Sequence, residues 1–215
     1  MAVTIAELFV ADPPEAWEAA GFAVDADGTC RIGSVAVRLL GRDHDLGGKG
    51  IVGWTLRGTG SIEADLDGIP TTVTDAPQGT PATHPNGVTI IDHVVLLSPD
   101  LGRTVASLGT IGLEPRKMRD GELGAAAVRQ VFYRLGEVIL EVVGSPDTAS
   151  DGPSTLWGLT HVAGDIDAAV ALLGDNGGRV KEAVQPGRRI TTLRTRELGM
   201  SVRTALISPH VPRSR

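Results

Sequence analysis

The chain has 215 residues, enough for one large or two small domains, and a formal net charge of −6. That balance argues against nucleic-acid binding, which needs a basic face, and no apolar run approaches the roughly 20 residues needed to span a bilayer. Hydrophobic residues make up 41% of the sequence but aromatics only 3%, so the core must be built mainly from Val, Leu, Ile and Ala.

The first residues, MAVTIAELF, lack a basic stretch followed by an apolar one, so no secretory signal is expected. The single cysteine, Cys30, cannot form an internal disulfide, which fits a reducing, cytoplasmic setting. A strand over 4–10 leads into Asp12-Pro13-Pro14-Glu15, which places a helix cap at Asp12 and prolines in the first turn. Two short strands follow around Gly33-Ser34, with Cys30 expected to be a packed thiol. Gly47-Gly48-Lys49-Gly50 lacks a Ser or Thr after the lysine, so it is a hairpin loop and not a phosphate loop. Strands over 51–56 and 71–74 belong to no complete unit. Residues 75–87, rich in Pro, Gly and Thr and ending in Asn-Gly, form a linker.

Beyond the linker, a strand over 89–97 meets Ser98-Pro99-Asp100, and Leu101, Val105 and Leu108 then fall on one helical face. A hairpin over 128–143 turns at Gly136-Glu137. After a second linker at 144–154, the pattern returns. A strand precedes Asp165, a helix carries Ile166, Val170 and Leu173 and stops at Gly177-Gly178, and strands follow over 189–195 and 202–207. Residues 210–215 form a tail. The repeated phrase is clearest in 91–100 (IDHVVLLSPD) with 136–146 (GEVILEVVGSP). It recurs in 157–165 (WGLTHVAGD) with 199–209 (GMSVRTALISP), and in degenerate form in 4–12 with 33–41. The expected organisation is therefore a degenerate unit over 1–74 with extra strands, then two βαβββ modules, 88–143 and 155–208, within 88–209. The fold class is α+β.

Only one copy keeps a His in its first strand and a Glu in its last. His93 and Glu141 both interrupt apolar stripes, and a carboxylate in EVILEVVG needs a cation, a donor or a proton if it is buried. A neutral imidazole and a carboxylate suit a divalent metal; a hydrogen-bonded core His and a half-exposed edge Glu would serve packing alone. Trp54 and Trp157 each flank a Gly at a strand start and offer flat stacking surfaces. Tyr133 alternates with Val131 and Leu135 and is expected to face the same cavity. Arg188 and Arg189 follow Gln185-Pro186-Gly187 in a turn, where they could meet an anion at the cavity mouth. His161 is expected to lie on the surface or pack against a helix rather than bind metal.

His-Val-Val-Leu-x-x-x-Asp at a strand-to-helix junction, with Gly-x-Val-x-x-Glu-Val-Val in the closing strand, resembles the vicinal oxygen chelate superfamily. That group includes glyoxalase I, bleomycin-resistance proteins and extradiol dioxygenases. The resemblance covers residues 88–209 well and 1–74 loosely. It implies paired βαβββ modules in an open, U-shaped barrel that cups a ligand or metal, each module of a metal-using member giving one ligand from its first strand and one from its last. His93 and Glu141 fall on those positions for one divalent ion (Zn, Ni, Mn or Fe), with Glu141 also placed as a general base. Aligning the helix-starting aspartates and closing glycines puts Gly158 and Thr204 at the matching positions of the last module, and Ile5 and Arg38 in the first. Half of the expected shell is missing. The implied function is a glyoxalase-like protein that binds a small organic molecule, either a metal-assisted lyase, isomerase or dioxygenase-type enzyme or a non-catalytic sequestering protein like the bleomycin-resistance group. The unassigned strands of 1–74 could exchange with a second copy, so a homodimer is expected.

Overall fold

The computed structural model describes residues 2–62, 65–124 and 126–210; the end of the expected tail, 211–215, lies outside them. The elements run β1 (Thr4–Val10), α1 (Pro14–Ala19), β2 (Thr29–Ile32), β3 (Val35–Leu39), β4 (Ile51–Arg57), β5 (Asp65–Leu66), β6 (Ile69–Val73), β7 (Val88–Leu97), α2 (Leu101–Thr110), β8 (Lys117–Leu123), β9 (Ala126–Leu135), β10 (Val138–Gly144), β11 (Thr155–Ala163), α3 (Ile166–Leu173), β12 (Lys181–Glu182), β13 (Arg189–Thr192) and β14 (Arg203–Ile207). The fold is α+β with an open, barrel-like sheet. β7 and β11 pair antiparallel at its centre, and each carries an arm, β10-β9-β8 on one side and β14-β13-β12 on the other.

Asp100 and Asp165 start α2 and α3 as the sequence implies, their carboxylates accepting the backbone N–H of Arg103 at 3.0 Å and of Asp167 and Ala168 at 3.0 Å. Asp12 does not cap α1. Pro13 holds that place without a side-chain bond, and the buried Asp12 carboxylate instead accepts the Trp17 indole N–H at 3.1 Å and the Ser201 backbone N–H at 2.6 Å. The chain's first strand-helix junction is thereby tied to its last strand. The helix α3 ends at Gly174, earlier than Gly177-Gly178, and a single 3-10 turn over Gly174–Asn176 completes the stop. Two strands have no apolar alternation to announce them. β8 (KMRDGEL) is a charged edge strand and β12 is two residues long.

The strands over 51–57 and 69–73 have partners within the chain. β4 pairs antiparallel with β1 and parallel with β6, all within the chain. The first 74 residues therefore repeat the central motif twice in truncated form. β1 has β3 as its parallel neighbour, as β7 has β10; β4 has β6, as β11 has β14. The linker is laid across this region: the Ala82 N–H donates to the Arg31 carbonyl at 3.0 Å and the buried His84 accepts from the Ala23 N–H at 3.0 Å.

Irregularities in register identify equivalent positions. In the β7–β11 pair, Asp92 and Trp157 are the extra residues of two bulges; in the β1–β4 pair, Ala6 and Val52 are. The residue after each bulge is His93, Gly158, Glu7 and Gly53 respectively. His93 opposite Thr160 and Val95 opposite Gly158 are exchanged by the pseudo-twofold axis between the strands, and so are Glu7 opposite Thr55 and Phe9 opposite Gly53. Carrying this register into the closing strands matches Glu141, beside Val95, with Arg38 beside Phe9, Thr72 beside Thr55 and Ala205 beside Thr160. Two of the expected matches change. Glu7, not Ile5, corresponds to His93, because the N-cap is Pro13, one residue beyond Asp12, and lies six residues after Glu7 where Asp100 lies seven after His93. Ala205, not Thr204, corresponds to Glu141, because the two-residue turn at Gly136 has become the longer connection 193–202.

Candidate active site

Alternation alone would send Asp92 and His93 to opposite faces of β7. The bulge at Asp92 removes that constraint, and the two side chains meet: Asp92 Oδ2 lies 2.8 Å from His93 Nδ1. His93 shares its face with Ile139 and Glu141 of β10 and with Gln130, Phe132 and Arg134 of β9, and all of them line one cavity of about 870 Å³. The opposite face of the same strands, with Val94, Leu96, Leu140 and Val142, is buried in the core.

The polar groups on the cavity floor form an ordered series. The Arg188 guanidinium is buried, with its Nη2 2.7 Å from Asp92 Oδ1 and its Nε–H donating to the Ser208 carbonyl at 2.8 Å. Burial pushes the Asp92 carboxyl up, but hydrogen bonds from His93 and Arg188 and the nearby positive charge outweigh it and hold the group below the ordinary carboxylate range. Asp92 is thus a carboxylate beside His93 Nδ1, and the other ring nitrogen, Nε2, faces Glu141, the proton positions on the ring following from its tautomer and charge. On the far side, Arg119 Nε–H donates to Gln130 Oε1 at 2.7 Å, which fixes the amide so that its Nε2–H donates to Glu141 Oε1. Glu141 Oε2 is left facing His93 Nε2 at 3.8 Å. With Nδ1 carrying the only ring proton, Nε2 and Oε2 are two acceptors that need a donor or a cation between them; with both ring nitrogens protonated they form an ion pair.

The donor set decides how well a divalent ion would fit here. His93 and Glu141 supply two ligands, and the pseudo-symmetric positions, Gly158 and Ala205, supply none. No group of three or more His, Cys, Asp or Glu that could hold a metal occurs among the described residues. Half of a four-ligand shell does not fit a resident, tightly held metal. Gly158 cannot simply be replaced, since a Cβ there would lie 2.8 Å from the Arg203 carbonyl oxygen.

The other anticipated residues scatter. Trp157 is 45% exposed and lines a separate cavity of about 160 Å³, with the Arg203 guanidinium 5.1 Å above its ring. Trp54 is fully buried and donates its indole N–H to Thr71 Oγ1 at 2.7 Å, away from the large cavity. Tyr133 borders that cavity, but its ring is buried on the core-facing side with Val131 and Leu135, and burial pushes its hydroxyl up to about 12. Arg188 turns inward to Asp92, while Arg189 makes an exposed bidentate pair with Asp167 at 3.0 and 2.7 Å. His161 is wholly buried between Trp17 and Phe22, and Cys30 is a buried thiol pushed up to about 12 by desolvation. Sequence reasoning missed Asp92, Gln130 and the cationic rim of Arg116, Lys117, Arg119, Arg134 and Lys181. Asp92 had a signal, a second polar residue beside His93 inside an apolar strand.

Residues 92–192 match the family model described as Glyoxalase/Bleomycin resistance protein/Dioxygenase superfamily. No curated protein sequence matches the chain. Among solved structures, a mutant 4-hydroxymandelate synthase from Streptomyces coelicolor aligns over 100% of this chain and 94% of its own, with 16% identity and a TM-score of 0.67. A catechol 2,3-dioxygenase aligns over 99% of this chain and 95% of its own, with 13% identity and a TM-score of 0.61. An extradiol ring-cleaving dioxygenase from B. fuscum aligns over 98% and 72%, with 12% identity and a TM-score of 0.56. At these identities the likeness is one of fold.

Proposed function

Since residues 92–192 belong to the vicinal oxygen chelate superfamily and the whole chain shares its fold, we propose that the protein binds a small organic anion in the large cavity and moves a proton on it with His93 and Glu141. The observation that carries this reading is the pairing of an imidazole nitrogen and a carboxylate oxygen, His93 Nε2 and Glu141 Oε2, 3.8 Å apart on the floor of a cavity. A bound molecule that places an acidic C–H or an O–H there meets two groups able to take up and return its proton. Asp92 and Arg188 hold the imidazole from behind, and Gln130 holds the carboxylate. The walls supply apolar area from Phe132, Ile139 and Ile190, and five rim cations face two lining carboxylates, Glu141 and Glu182. An apolar body with a carboxylate end suits that lining. A divalent ion, if one takes part, would be held by His93 and Glu141 and completed by oxygen atoms of the bound molecule; it would supply Lewis acidity there.

The missing ligands at Gly158 and Ala205 favour a second reading, a binding protein that performs no chemistry. Deuterium wash-in at carbon, followed by NMR for a panel of 2-oxo carboxylates in D2O, separates the two. Enzyme-dependent exchange that Glu141→Gln slows by roughly 10²- to 10⁴-fold is the expected result. Saturable binding without exchange would leave the sequestering role. Near-stoichiometric metal in purified protein, lost in Glu141→Gln, would replace proton transfer with metal chemistry.

A further inference from the structure

A second cavity, of about 260 Å³, lies on the equivalent face of the N-terminal strands and is lined by Arg31, Arg38 and Arg57 with a single carboxylate, Glu7. It is the first truncated unit's version of the site above. Glu7 stands where the middle module has His93, and Arg38 where it has Glu141. Here the pair closes on itself, with Arg38 Nε 2.9 Å from Glu7 Oε1. Glu7 Oε2 is already engaged by the Thr55 hydroxyl at 3.0 Å.

We propose that this cleft binds a compact oxyanion, a phosphate or a short carboxylate, held by Arg57 with Arg31. The two arginines differ from Arg38 in what they have left to give. Arg57 donates through Nε to the Ala76 carbonyl at 2.9 Å and meets no carboxylate within ion-pair distance among the described residues. Among the described residues the Arg31 guanidinium pairs with Asp25 alone, at 3.1 Å, and both groups of that pair are partly exposed, so water screens the attraction and an anion can compete for the guanidinium. Planar guanidinium forks match phosphate and carboxylate edges. The linker roofs the cleft through Arg57 to Ala76 and Ala82 to Arg31, so the same arginines that face the cavity hold its cover. The volume of about 260 Å³ excludes a large ligand.

Isothermal titration of the full chain at low ionic strength, with inorganic phosphate in one arm and succinate in the other, tests the assignment. Saturable binding of either anion is expected, with the stronger arm identifying the source. Arg57→Gln should weaken it roughly 10- to 100-fold, the loss of a charge-assisted contact, and Arg134→Gln in the large cavity should leave it unchanged. Arg31→Gln gives the same answer should the first variant fold poorly. Binding that follows Arg134→Gln and ignores Arg57→Gln, or no saturable binding of either anion, overturns the proposal. The outcome does not depend on whether the large cavity is catalytic.

Discussion

β7 and β11 are the same strand used twice. They pair across a pseudo-twofold axis, each is bulged at the matching residue, and each is followed by a helix capped by an aspartate. What they present differs completely. β7 offers Asp92-His93 and acquires a buried arginine behind it, whereas β11 offers Trp157-Gly158 and a half-exposed indole under Arg203. The backbone frame provides two places where a side chain can be aimed into the barrel, and the sequence arms only one. The asymmetry leaves His93 and Glu141 on one side of the barrel with no side-chain ligand at the matching positions Gly158 and Ala205.

The largest expected contrast is at the two bulges. Asp92→Ala leaves the Arg188 guanidinium buried without its carboxylate, and breaking such a pair should cost about 3–5 kcal/mol in a urea or guanidinium melt. Trp157→Ala at the matching position removes an exposed ring and a cation–π contact and should cost about 1 kcal/mol or less. Equal losses would mean that the bulge itself, not the buried ion pair, carries the stability of this region.

The next contrast concerns the residue after the bulge. In Gly158→Ala the new Cβ meets the Arg203 carbonyl oxygen at 2.8 Å, and in Gly53→Ala it meets the Pro70 carbonyl oxygen at 2.9 Å. Backbone cannot swing away as a side chain can, so each should destabilise by about 1–3 kcal/mol. For the same reason Gly158→His should lower stability without giving the protein a tightly held zinc ion, measured by elemental mass spectrometry. A stoichiometric zinc site in that variant would show that the missing ligand alone separates this chain from a metal-binding relative.

Much of this frame was legible before any coordinates. Asp100 and Asp165 read as helix caps because a short acceptor ahead of an apolar helical stripe does one job, and the hairpin at Gly136 follows from alternation on both sides of a turn. His93 and Glu141 stood out because each interrupts an apolar face. What escaped was whatever depends on counting residues through an irregularity. A bulge leaves no mark in composition, so nothing in the sequence brings Asp92 to the same face as His93. Glu7 and Ala205 emerge as the equivalents of His93 and Glu141, in place of Ile5 and Thr204, only once the shorter link to α1 and the longer connection 193–202 are counted. Tyr133 borders the cavity from the core-facing side of β9. The stripe Val131, Tyr133, Leu135 is apolar because it faces the core, and the cavity face of β9 is the polar one, Gln130 and Arg134. An alternating pattern shows that two faces differ but not which of them lines a ligand site.

The smallest contrast lies one step further along the two strands, where Leu96 in β7 matches His161 in β11. Both are buried, but His161 has neither ring nitrogen bonded. Burial, with lesser repulsion from His84 and His93, pushes it down to about 3 from an ordinary 6.5. Above pH 6.5 it is neutral folded and unfolded and contributes no pH dependence. Below that, the unfolded chain takes up a proton that the folded chain refuses, so stability falls as pH drops towards 3. Between pH 7.5 and 6 this single group should cost roughly 1 kcal/mol. His161→Leu installs the residue that the partner strand uses at the same place. It should remove that part of the acid sensitivity and leave the melt at pH 7.5 unchanged or slightly higher, since the orphaned N–H goes with the ring. A variant equally acid-sensitive, or one clearly less stable at pH 7.5, would mean that the edge-on contacts with Trp17 and Phe22 outweigh the unmade hydrogen bonds, and that the imidazole is kept in β11 for its packing.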